Sequence, residues 1–113
     1  MFKVVLSENI SSEIDSFIDG YLHGYLDLFV DSWINNVQQI IKNYEDFAFK
    51  FRDTIYDNVY SFFSNEKILW HSELENTNME VTITIWNYRF FVEYSANLWK
   101  KLRYIEWIKI HKK

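Results

Sequence analysis

The most constraining feature of this chain is a change of period partway along it. Up to about residue 63, apolar side chains recur in steps of three and four: Ile10, Ile14, Phe17, Ile18, Tyr21, Leu22, Tyr25, Leu26, Phe29, Trp33 and Ile34, then Val37, Ile40, Ile41, Tyr44, Phe47, Ala48, Phe51, Ile55, Val59, Phe62 and Phe63. That spacing places them on one stripe of a helix. From Glu80 onward the step is two, as in Val81, Ile83 and Ile85, the pattern of a strand buried on one face. A chain that reads strand-like at residues 2–6, helical over about 9–34 and 36–64, and strand-like again over 68–110 is predicted to be one α+β domain spanning 1–113. An antiparallel helical hairpin would cover a three- to four-stranded antiparallel meander, so that each apolar face buries the other.

Boundaries come from local chemistry. Ser7, Asn9, Ser11 and Ser12 offer oxygens for the start of the first helix, and Glu8, Glu13 and Asp15 suit its positive end. Gly20 and Gly24 lie inside the first helix, which predicts a kink there or close packing by another element. Asn35-Asn36 is the expected break between the helices, and Ser64-Asn65 the expected stop of the second. Ile68–Leu74 reads as a strand, 75–78 as a turn, Trp86-Asn87 as a tight bend, and Ser95-Ala96-Asn97 as a turn before the final strand.

Composition removes several classes of function. The 113 residues contain no Cys and no Pro, and only two Gly. A disulfide framework, a thiol nucleophile and a glycine-rich phosphate cradle are thereby excluded. His23, His71 and His111 show no ligand spacing of the zinc-site kind, even with Glu73 near His71, so no metal or cofactor is expected. No serine sits in a nucleophile-elbow pattern. The short apolar opening and the lack of a membrane-length apolar run predict a soluble cytoplasmic protein without a membrane partner.

Charge is distributed unevenly. The net charge is −4, yet residues 1–66 carry −7 and residues 67–113 carry +3. Lys100, Lys101, Arg103, Lys109, Lys112 and Lys113 crowd the last 14 residues against a single Glu106. Two readings stand side by side. The halves attract each other within one fold, or the basic strip meets an anionic partner locally. Tyr88, Tyr94, Trp99, Tyr104 and Trp107 lie among those cations, where aromatic rings stack on bases or simply pack. Trp99, beside Lys100 and Lys101 in or next to a turn, is the expected contact with a partner protein.

Three stretches carry a resemblance to a known family. They are Lys3-Val4-Val5-Leu6-Ser7-Glu8-Asn9, the run from Val81 through Trp86-Asn87-Tyr88-Arg89 to Tyr94, and Ile105-Glu106-Trp107-Ile108-Lys109-Ile110-His111-Lys112. With the order strand, helical hairpin, meander, the chain resembles the RelE/ParE superfamily of toxins from bacterial type II toxin–antitoxin modules. The resemblance implies either metal-independent cleavage of mRNA on the ribosome or poisoning of DNA gyrase, with silencing by a cognate antitoxin. It makes Arg89 the candidate grip on a phosphate, because a guanidinium forks onto phosphate oxygens. His111 becomes the candidate general acid or base, imidazole being suited to proton transfer near neutral pH. Lys101, Arg103, Lys109 and Lys112 would contact phosphates. The chain departs from the family's nuclease pattern in its acidic balance, in Thr82 and Thr84 where a cation is common, and in lacking an aromatic residue after His111. A non-catalytic protein-interaction domain on the same fold is the alternative, in which Arg89 pairs with Glu93 or Glu80 across the sheet.

Overall fold

The computed structural model describes residues 1–30, 37–65, Glu73 and 78–113, with side chains described outside 23–30 and 37–40. The order is β1 (Lys3–Leu6), α1 (Glu8–Val30), α2 (Val37–Ser64), β2 (Met79–Ile85), β3 (Tyr88–Asn97) and β4 (Leu102–Lys112). This is the α+β arrangement that the change of period predicts. The Asn35-Asn36 break and the strand over 68–74 fall outside the described residues, apart from Glu73.

The four strands form one sheet in the order β1-β4-β3-β2. β2, β3 and β4 are an antiparallel meander, and β1 lies parallel to β4, with Lys3 opposite Leu102 and Leu6 opposite Ile105. The helices cover one face. Phe17 of α1 meets Phe51 of α2 edge-on at 5.8 Å, and Tyr21 stacks on Tyr44 at 5.5 Å, so the two helices run antiparallel. Between them and the sheet lies a core of Ile10, Ile14, Ile18, Ala48, Phe51, Ile55, Val59 and Phe63 against Val81, Ile83, Ile85, Phe90, Val92, Tyr94, Ile105 and Ile108.

Three local expectations are corrected. β3 does not turn at Ser95-Ala96-Asn97; these residues stay in register with Tyr104, Arg103 and Leu102. The Ser95 hydroxyl donates to Glu106 at 3.0 Å, and the turn falls at Leu98–Lys101. α1 continues through Gly20 and Gly24, and the close packing expected at a glycine does not occur at Gly20, where nothing lies within 4 Å of where a Cβ would stand. Sequence alternation in β4 slips because Glu106 is an extra residue: Glu93 faces Trp107 while Tyr94 faces Ile105. This bulge keeps both Ile105 and Ile108 on the helix side.

Candidate functional site: the open face of the sheet

Strict alternation in β2 and β3 turns every second side chain away from the helices. The register stacks these outward residues in rows across three strands. Thr84, Arg89 and His111 form one row, Thr82, Phe91 and Lys109 the next, and Glu80, Glu93 and Trp107 the third. Arg89 and His111, 22 positions apart in sequence, are therefore direct cross-strand neighbours, a relationship that sets Cβ atoms about 5 Å apart. Both are exposed. The His111 ring stands edge-on to Phe91 at 5.5 Å.

The charge on this face is ordered. Arg89, His111 and Lys109 share one end with the hydroxyls of Thr82 and Thr84. The carboxylates Glu80 and Glu93 stand opposite each other one row further on. Arg89 is four residues from Glu93 along β3, about 13 Å at strand rise, and no ion pair joins them among the described residues. The cross-strand pairing of Arg89 with Glu93 or Glu80 is thus not formed. The guanidinium, an ammonium and an imidazole face solvent together, an arrangement suited to binding a phosphodiester.

Other expected contacts are distributed elsewhere. Arg103 is a correction: it is not a phosphate contact but the largest fully buried side chain among the described residues. Its Nε and Nη2 donate to Glu73 at 3.0 and 2.7 Å, its Nη1 donates to the carbonyls of Phe63 and Asn65, and its plane lies 3.8 Å from the Phe2 ring. The guanidinium thereby caps the carboxyl end of α2, whose last carbonyls have no partner within the helix. Lys112 sits opposite Tyr88, on the helix side of the sheet end rather than beside Arg89. Lys101 lies in the β3–β4 turn at the other end of the sheet, eight strand residues or about 26 Å from Arg89.

The aromatic residues divide in the same way. Tyr94 is buried on Phe63 at 4.8 Å, and Tyr88 is half-buried against Phe17 at 5.1 Å, both on the helix side of the sheet. Burial pushes the Tyr94 phenol up to about 12, with Glu73 adding to the rise and Arg103 opposing it. Tyr88 is also raised, first by burial and then by Tyr21. Tyr104 and Trp107 are exposed, and Trp99 is 98% exposed. The turn holds Trp99 outward: Lys100 N–H donates to Asn97 Oδ1 at 3.1 Å, Lys101 N–H to the Leu98 carbonyl at 3.4 Å, and Lys101 has φ 51°.

Sequence reasoning missed Phe91 as a wall of the Arg89–His111 site and missed the Glu73–Arg103 pair. The second left a signal, since counting back in twos from Ile105 puts Arg103 on the inward side. Compared with known protein families, curated proteins and solved structures, the chain matches none. No described helix is long and apolar enough to cross a membrane, and no group of three or more potential metal ligands occurs among the described residues.

Proposed function

We propose that this protein is a RelE/ParE-like toxin of a bacterial toxin–antitoxin module, acting in the cytoplasm on translation through mRNA cleavage or on DNA gyrase. The observation that carries the reading is the pairing of Arg89 with His111 on the solvent face, with Lys109 in the adjacent row. Arg89 and Lys109 hold a phosphodiester and offset the charge that builds on its oxygens during displacement. In the cleavage branch, the ribose 2′-oxygen attacks phosphorus and the 5′-oxygen leaves. His111 either takes the proton from the attacking hydroxyl or gives one to the leaving oxygen, and solvent water handles the other proton. The same cationic row would serve a gyrase poison as a binding surface without chemistry. The cognate antitoxin covers this face or the Trp99 turn.

Induced expression, with and without the neighbouring gene, tests the reading through growth and mRNA integrity. Arg89→Ala and His111→Ala should each relieve growth arrest while leaving stability within about 0.5 kcal/mol of the parent, because both side chains are exposed. Cut transcripts identify the nuclease branch, and DNA damage with intact transcripts the gyrase branch. Harmless overproduction, or full toxicity in both variants, refutes the assignment. The second reading, a non-catalytic interaction domain, is favoured by one observation: a tryptophan 98% exposed on a turn fixed by hydrogen bonds. On that reading Trp99→Ala abolishes partner capture, and Arg89→Ala has no effect on it.

A further inference from the structure

β1 pairs with only the first part of β4. Its last rung is the Ser7 N–H to the Ile105 carbonyl, 3.3 Å, after which the chain turns away into α1. Glu106–Lys112 therefore has β3 on one side and, among the described residues, no strand on the other. Along this stretch of seven residues, about 23 Å long, every second residue points its N–H and C=O away from β3. Beside them run two adjoining cavities of 370 and 230 Å³, between α1 and β4. Their lining is mixed: Phe17, Ile108 and Ile110 give the apolar part, Ser12, Ser16 and Glu106 the polar part, and Glu13 lines both cavities while Lys109 lines the larger.

We propose that this edge receives an extended segment of a second protein as a fifth strand, continuing the line of β1. An open edge with a partly apolar groove beside it is the geometry in which main-chain hydrogen bonds supply affinity and alternate side chains supply selection. The segment carries apolar residues toward α1, a cation over Glu13 and an anion opposite Lys109. A second copy of this chain is disfavoured by the same residues. Lys109 is the midpoint of the free edge, so a two-fold antiparallel pairing that used the whole edge would set Lys109 against its own copy. Like charges directly opposite in a sheet repel, and lysine on an edge strand is a common block to self-pairing. The inference does not depend on the toxin reading, since it concerns the edge of the sheet and is read by binding alone.

The probe is a terminally blocked heptapeptide with valine at the helix-facing positions, lysine at the one nearest Glu13, and glutamate opposite Lys109. It is made in both sequence orders, to allow parallel or antiparallel entry. One order should shift the resonances of Glu106–Lys112 in NMR and protect the alternate amides that face away from β3 in hydrogen exchange, with a Kd below about 1 mM. N-methylation at alternate residues of the peptide, which leaves its side chains and removes its ladder donors, should weaken it at least about tenfold. Lys109→Glu should weaken the parent peptide about fivefold and restore a peptide carrying lysine at the facing position. No change at these amides, equal binding by the N-methylated peptide, or a peptide-free dimer protecting the same amides would overturn the proposal.

Discussion

Two side chains in the core show how single groups set the stability of this fold. The Tyr94 hydroxyl is buried and has no hydrogen-bond partner among the described residues. A buried hydroxyl without a partner costs about 1–3 kcal/mol, so Tyr94→Phe should raise the midpoint of urea unfolding. The same phenol gives an alkaline signature. Its folded pKa, about 12, lies above the unfolded value near 10, so the native state keeps a proton that the unfolded state loses. Stability is full below pH 10 and falls between pH 10 and 12, by roughly 2–3 kcal/mol at the limit. Unfolding curves across that range should flatten in Tyr94→Phe. Arg103 is the opposite case, a charge buried with all its geometry met. Glu73→Ala leaves that guanidinium uncompensated and should cost about 3–5 kcal/mol in thermal or urea unfolding, whereas an apolar replacement of both partners should cost far less. Arg103 also marks a limit of sequence reading. A cation in a basic stretch looks solvent-facing, and only the strand's parity, interrupted by the bulge at Glu106, reveals that it points inward.

At the level of elements, periodicity was the legible part. Three- and four-residue steps predicted two helices ahead of the sheet, and strict alternation placed β2. Turns were less readable, because their residues are chosen for reasons beyond propensity. The β2–β3 hairpin puts Trp86 at φ 53°, a conformation that glycine favours, and holds it by stacking on Phe51 at 4.4 Å and Phe47 at 5.5 Å. Tertiary packing there outweighs a local strain of about 1–2 kcal/mol. Gly20 is the converse, a helical glycine with open space around it. Gly20→Ala should stabilise the protein by about 0.5–1 kcal/mol, measured by chemical denaturation, since it restricts the unfolded chain and meets no obstacle.

For the molecule as a whole, element order and fold class could be read before any coordinates, while the joining of Arg89 to His111 could not. That row depends on the register between β3 and β4, which no local pattern states. The overall charge adds a quantitative expectation. A protein at −4 with three basic groups on one face can only hold nucleic acid locally. Binding to single-stranded RNA should therefore show a shallow dependence on salt, with a log–log slope of about −2 from roughly three phosphate contacts. A slope several times steeper would place the contact on a wider surface than this face.

The parallel pairing of Lys3–Leu6 with Leu102–Ile105 joins the beginning of the described chain to its final strand. Closing a loop of that length is slow compared with forming helices. The helices precede β4 in the chain, and the strand bearing His111 must slot between two that come before it, β1 and β3. The face with Arg89 and His111 is thus absent until β4 has docked between its two neighbours.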